Sequence, residues 1–141
     1  MEAEIPPSFY ESLRSRITSR VLSTEAFGKG CWEWGGTKKK LKNGKFAQYG
    51  TIVMNICGDR VNSHAHRASY IAFYSKFLLP YDISHCCHEA RCVNPHHLEH
   101  EPHAINLARE ECRKVGSCSE HRHEGQPLKS CIFASKEVLE E

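Results

Sequence analysis

The use of cysteine and histidine constrains this chain more than any other feature. Eight Cys and ten His occur in 141 residues, and most of them interleave between His85 and His123. Cys31, Cys57, Cys86, Cys87, Cys92, Cys112, Cys118 and Cys131 are open to three uses: disulfides, metal ligands or reactive thiols. Disulfides have no reason to recruit imidazoles, whereas tetrahedral zinc accepts thiolate and imidazole equally well. The mixed pattern favours zinc. The segment from Met1 to Pro7 lacks the apolar stretch of a secretory signal, so an intracellular protein is expected, nuclear in a eukaryote. At 40% hydrophobic and 26% charged residues the chain is too apolar for a disordered tail. No apolar run approaches the roughly 20 residues that span a bilayer, so no membrane is expected among its partners.

The length is about that of one domain. Residues 1–30 read as an N-terminal helix, Ser8 to about Leu22, carrying Arg14, Arg16 and Arg20 either toward a DNA backbone or on a solvated face. Residues 31–63 read as an antiparallel sheet of about three strands: Cys31-Trp-Glu-Trp34, Phe46 to Cys57, and Arg60 to Ser63. In the second strand Tyr49, Thr51 and Val53 alternate with Ile52, Met54 and Ile56, and Gly58-Asp59 sits where a two-residue turn belongs. His66 to Leu79 is the clearest helix, with Tyr70, Phe73, Tyr74 and Phe77 on one core face and Pro80 as its stop. Residues 81–114 give two short strands, Tyr81 to His85 and His97 to His100, then a helix that Pro102 opens. Beyond Val115 no apolar period is left, so something other than a core must hold the tail.

Two clusters have the spacing of metal ligands. Cys87-x4-Cys92-x4-His97 can converge on one ion, with Cys31, which opens the sheet, as the natural fourth donor. Cys112-x5-Cys118, then His121 or His123, then Cys131 make a second loop over residues 112–131, where zinc would replace hydrophobic burial. Cys57 and Cys86 are left over as ordinary buried thiols. His85 ends a strand just before the first cluster, and Asn106 lies on the helix after the second strand. A strand, loop, strand and helix presenting a histidine and an amide in this way make a ββα-metal finger. Charge is uneven as well. Residues 31–70 carry Lys38, Lys39, Lys40, Lys42, Lys45, Arg60 and Arg67 against only Glu33 and Asp59. This is either a phosphate-binding edge or a solvated hairpin tip.

Ser84-His-Cys-Cys-His-Glu-Ala-Arg-Cys-Val-Asn-Pro-His-His-Leu98 resembles the core motif of the His-Cys box homing endonucleases, a group within the His-Me finger nucleases. The stretch from Cys31-Trp-Glu-Trp34 to His66-Arg67 resembles the upstream part of related zinc-binding-loop nucleases. Cys92-Val-Asn-Pro-x-His97 alone is also similar to the zinc site in the DNA-binding domain of Smad proteins, which share the fold without nuclease activity. The nuclease resemblance implies His85 as general base and Asn106 as the ligand of a catalytic magnesium ion. It implies one structural zinc on Cys31, Cys87, Cys92 and His97. A second falls on Cys112, Cys118 and Cys131 with His121 or His123. It also implies an arginine on the sheet facing the scissile phosphate, for which Arg60, Lys45 and Gln48 are the candidates here. Related enzymes act as dimers, so a homodimer is an expected assembly.

The expected protein is α+β, a single zinc-stabilised domain over residues 1–141. Its expected activity is magnesium-dependent hydrolysis of double-stranded DNA to 5′-phosphate and 3′-hydroxyl ends. A neutral imidazole can take a water proton near pH 7. Magnesium accepts a single amide oxygen plus DNA oxygens, and an aspartate at position 106 would also offer it an oxygen. The rival expectation is a Smad-like DNA-binding module that does not cut and needs neither His85 nor Asn106.

Overall fold

The computed structural model describes residues 5–77 and 79–134. Glu137, Glu140 and Glu141, at the end of the sequence, lie outside them. Among the described residues the architecture is α+β, with three α-helices and four antiparallel β units. Helix α1 (Pro7–Thr18) begins on a proline, whose missing N–H would be an orphan donor there anyway. It buries Leu13 and Ile17, which lie one turn apart. The helix stops short of Leu22. After Arg20 the chain enters β1 (Val21–Ala26), which pairs with β2 (Cys31–Trp34) in a hairpin of their own. The strand of Cys31 therefore does not join the sheet that follows.

That sheet has the order β3-β4-β5, with β3 at Lys38–Lys40, β4 at Phe46–Ile56 and β5 at Asp59–His64. Ile52, Met54 and Ile56 of β4 point into the core, as their alternation requires. Ile56 pairs with Asp59, so the turn is Cys57-Gly58 rather than Gly58-Asp59. Both turn residues have positive φ, +50° and +86°, which a tight I′ hairpin demands. Cys57 is thereby exposed at the tip and not buried as expected.

Helix α2 (Ala65–Tyr74) runs directly on from β5. It ends at Ser75, whose left-handed φ of +51° lets its N–H bond Ile71 O, before the apolar period runs out and well before Pro80. Phe77 and Leu79 pack against the core from irregular chain instead. Arg14 donates to Ala72 O at 2.8 Å, and Arg16 donates to Val53 O at 2.8 Å. Two of the three N-terminal arginines thus tie α1 to α2 and β4. The core gathers Leu13, Ile17, Trp34, Ile52, Met54 and Ile71.

The second half is a finger: β6 (Asp82–His85), β7 (Leu98–Glu101) and α3 (His103–Val115). The two strands pair from Asp82 with Glu101 to His85 with Leu98, leaving residues 86–97 as the loop between them. Helix α3 closes on Gly116 at φ +87°. A two-residue hairpin, β8 (Arg122–His123) and β9 (Gln126–Pro127), makes up the regular part of the tail. No helix among the described residues is long and apolar enough to cross a membrane.

Trp34 joins the β2 hairpin to the central sheet. Its indole is 1% exposed and packs against Gly50 of β4, where an added Cβ would come 2.0 Å from Cδ1. The indole Nε1 donates to Thr37 O at 3.0 Å, so the ring cannot swing aside without losing that bond. Gly50→Ala is expected to destabilise the fold by about 1–3 kcal/mol, the usual cost of overpacking. Thermal unfolding beside the wild-type chain measures this, and an unchanged midpoint would mean the indole can move.

Candidate metal centres and the adjoining cavity

The Sγ atoms of Cys31, Cys87 and Cys92 and a ring nitrogen of His97 lie within 4.8 Å of one another, all four residues buried. Backbone pairing delivers them. Trp34 N donates to Arg91 O and Val93 N to Trp32 O, both at 2.9 Å, so β2 docks along the loop between β6 and β7 and carries Cys31 to it. His97 Nδ1 stands 3.6 Å from Cys31 Sγ and 3.5 Å from Cys92 Sγ. Zinc–sulfur and zinc–nitrogen bonds of 2.3 and 2.0–2.1 Å in a tetrahedron give an S···N edge of roughly 3.6 Å. Charge agrees with geometry. The neighbouring thiols push Cys31 up while hydrogen bonds from Cys31 and Cys87 pull Cys92 down to about 4. Stacked thiols cannot all ionise without a cation between them, so the donor set fits zinc.

The second cluster is Cys112, Cys118, His121 and Cys131, again within 4.8 Å. His121 Nε2 lies 3.5 Å from Cys112 Sγ and 3.6 Å from Cys131 Sγ, the same tetrahedral edge. The N–H groups of Ser119 and Cys131 donate to Cys112 Sγ and Cys118 Sγ at 3.4 and 3.3 Å, as thiolate ligands favour. His123 is not part of it. Its place in β8 turns its ring edge-on to Tyr81, 5.4 Å between centroids. The two candidate histidines are thus separated by backbone position.

Beside the first cluster lies an open cavity of about 480 Å³, lined by Gln48, Tyr49, His85, Asn106 and Arg113 among others. His85 Nε2 is 3.0 Å from the carbonyl oxygen of Cys92. A carbonyl can only accept, so Nε2 carries the proton and Nδ1 is left with a free lone pair. Burial of the ring lowers its pKa, which keeps the imidazole neutral near pH 7. His66 packs against His85 at 4.3 Å between ring centroids, and Tyr49 stacks at 5.9 Å. Asn106 enters from α3, its Nδ2 donating to Asp82 Oδ2 at 3.1 Å.

The remaining sequence candidates divide. Gln48 of β4 lines the cavity, whereas Arg60 sits exposed opposite Asn55 near the far end of the β4–β5 hairpin. Lys38, Lys39 and Lys40 form the edge strand β3, and Lys42 and Lys45 lie in the exposed turn that follows. Two residues that the sequence did not single out are central. Glu101 and Arg109 form a fully buried two-pronged pair, with Arg109 Nε to Oε2 at 2.6 Å and Nη2 to Oε1 at 2.8 Å. Arg109 also donates to Lys129 O and to Cys131 Sγ, which fastens the tail and its cluster to α3. Only opposite charges within an eight-residue interval hinted at this pair.

A family model described as the zinc-binding loop region of homing endonuclease matches residues 33–139, most of the chain. No curated protein and no solved structure gave a match.

Metal analysis of the purified chain is expected to give two zinc ions, one for each cluster. His121→Ala should lose the second ion while His123→Ala keeps both. Equal zinc content in the two variants would overturn the placement of the ligand.

Proposed function

The chain belongs to the family defined by the zinc-binding loop region of homing endonucleases, and from that premise we propose that it cuts double-stranded DNA. The proposed reaction is magnesium-dependent hydrolysis of a phosphodiester bond to 5′-phosphate and 3′-hydroxyl ends. The observation that carries this reading is the His85 imidazole, pinned through Nε2 by the Cys92 carbonyl beside the Asn106 amide in one open cavity.

His85 Nδ1 takes the proton of a water that attacks phosphorus, and the bond to the 3′-oxygen breaks as the new P–O bond forms. Fixing one ring nitrogen sets both the tautomer and the direction of the other, so no reorientation is needed when the proton moves. The Asn106 amide oxygen and DNA phosphate oxygens would hold magnesium, which when bound stabilises the charge on the phosphorane and the departing oxygen. Gln48 brings an amide donor from the sheet to the same cavity. The cation that meets the phosphate comes from α3 rather than the sheet. Arg113 lines the cavity and is held by an exposed pair with Glu110 at 3.0 Å, an interaction weak enough to yield to phosphate.

The five lysines grip neighbouring phosphates. They extend along β3 and the turn after it, β3 pairs with β4, and β4 carries Gln48 and Tyr49 to the cavity. One strand therefore joins the charged edge to the cutting site. A binding module that does not cut would gain nothing from a histidine whose second nitrogen is kept free and neutral.

Nicking of supercoiled plasmid with magnesium tests the reading. His85→Ala is expected to lower the rate by about 10²–10⁴, the range of general-base catalysis, with DNA affinity unchanged. Plasmid that stays intact with the wild-type chain would favour the Smad-like alternative. Replacing Lys38, Lys39 and Lys40 together by Gln should weaken binding on any sequence. The slope of log affinity against log salt should fall by roughly 0.9 for each phosphate that is no longer neutralised. An unchanged slope would mean that this edge does not touch DNA.

A further inference from the structure

Asp82 opens β6 at the foot of the finger, and its Oδ2 accepts two hydrogen bonds. His103 Nδ1 donates at 2.7 Å and Asn106 Nδ2 at 3.1 Å, both from the first turns of α3. An aspartate carboxyl is ionised at neutral pH in any case, and both hydrogen bonds to this Oδ2 come from donors. An ionised carboxylate has only lone pairs to offer. The amide of Asn106 has a donor end and an acceptor end, and against such a partner only the donor end can face inward. The planar amide must then turn Oδ1 the other way.

The surroundings show where that is. Asn106 lines two cavities. One, of about 250 Å³, is shared with Asp82, His64 and His66, and the other is the larger one shared with His85. Nδ2 is committed on the Asp82 side, which leaves Oδ1 for the side of His85. We propose that Asp82 is a positioning residue whose carboxylate locks the Asn106 amide with Oδ1 facing the His85 cavity as the oxygen ligand for magnesium. The proposal rests on the reading of Asn106 as that ligand. His103 donates to the same Oδ2 and completes a His103–Asp82–Asn106 chain.

The hydrogen bond to Asp82 limits what an aspartate at position 106 could do. An aspartate at position 106 offers magnesium an oxygen, but it would face Asp82 with no hydrogen between the two carboxylates. They would repel, or one would take up a proton and lose its value as a ligand. Asn106→Asp is therefore expected to be impaired. Combined with Asp82→Asn, the donor moves to position 82, the acceptor to 106, and the bond is restored with its polarity reversed.

The test uses the full zinc-loaded chain bound to an uncleavable phosphorothioate duplex, with manganese binding read by electron paramagnetic resonance as a stand-in for magnesium. Zinc content and DNA affinity without magnesium serve as measures of folding. Asp82→Ala should weaken manganese binding about 10–100-fold, the usual effect of removing a group that orients a metal ligand, with both folding measures unchanged. Asn106→Asp should lose a comparable amount, and the reciprocal pair Asp82→Asn/Asn106→Asp should regain most of it. The magnesium needed for half-maximal nicking should follow the same order.

Wild-type manganese binding by Asp82→Ala, or a reciprocal pair no better than Asn106→Asp alone, overturns the proposal. A larger loss from Asp82→Ala than from Asn106→Ala overturns it too, since Asp82 would then be a ligand itself. If Asp82→Ala loses zinc, the comparison of Asn106→Asp with the reciprocal pair decides, because both keep polar side chains of native size. Asn106→Ala separates the two readings. Full metal binding by that variant removes Asn106 as a ligand, whereas metal lost there and kept by Asp82→Ala leaves the ligand in place and removes only the positioning role.

Discussion

The convergence of Cys31, Cys87, Cys92 and His97 is the constraint on which the rest of the molecule depends. It closes a loop of more than fifty residues between Cys31 and Cys87, and it joins the β2 hairpin to the finger. Cys92 takes part twice. Its Sγ belongs to the cluster, and its carbonyl oxygen accepts from His85 Nε2. The backbone that fixes the thiolate therefore also fixes the direction of the imidazole. A donor set that is closed by four protein ligands has no open position for substrate, so this cluster acts on chemistry only through the geometry it imposes.

The tail is organised by the same economy of burial. Residues 116–134 contribute almost nothing to the apolar core, in which Ile132 only flanks the first cluster. Two cations, Arg109 buried and Lys129 half-buried, take over that role. Lys129 Nζ reaches Tyr74 OH, Pro95 O and Leu98 O at 2.6–3.2 Å, and Arg109 meets Glu101, Lys129 O and Cys131 Sγ. A buried pair is tolerated when its remaining donors are also satisfied, and here they are. Removing one partner would strand the other charge at a cost of about 3–5 kcal/mol. Arg109 lies one turn from both Asn106 and Cys112 along α3, so the second cluster and the cavity are framed by one helix.

What could be read from sequence follows from which physical rules act locally. Ligand chemistry restricts both residue type and spacing, so the two Cys/His sets stand out even with Cys31 far from its partners. The finger was legible because His85 and Asn106 flank that loop. Strand β1 was not legible, because only Ala26 of its six residues is buried and the alternation of the rest runs against hydrophobicity, with Leu22 exposed and Ser23 half-buried. Strand β3 was hidden for a related reason: lysine has little β preference, and Lys38–Lys40 is a strand only because β4 offers it a ladder. The end of α2 was overrun because Phe77 and Leu79 continue an apolar period that the backbone abandons at Ser75. His121 and His123 could not be separated by spacing, since only the fold of the β8–β9 hairpin turns one inward. Asp82 gave no signal, and Glu101 and Arg109 only the faint one of opposite charges eight residues apart, because their partners are side chains met only after the chain has folded.

Under the proposed function, the placement of charge accounts for how a chain with a formal net charge of only +2 would serve nucleic acid. Affinity for a polyanion depends on how many phosphates are met locally, not on the sum over the molecule. The acidic residues near the finger are absorbed by pairing: Glu101 with Arg109, Glu89 with Lys29 and Asp82 with His103 and Asn106. The five lysines of β3 and its turn have no acidic partner among the described residues and stay free for phosphate. Salt would screen that edge readily, since it is exposed, and would barely touch the half-buried hydrogen bond of Asn106. Binding and cutting would therefore respond differently to ionic strength, the first through many weak interactions on the sheet and the second through a few fixed ones in the finger.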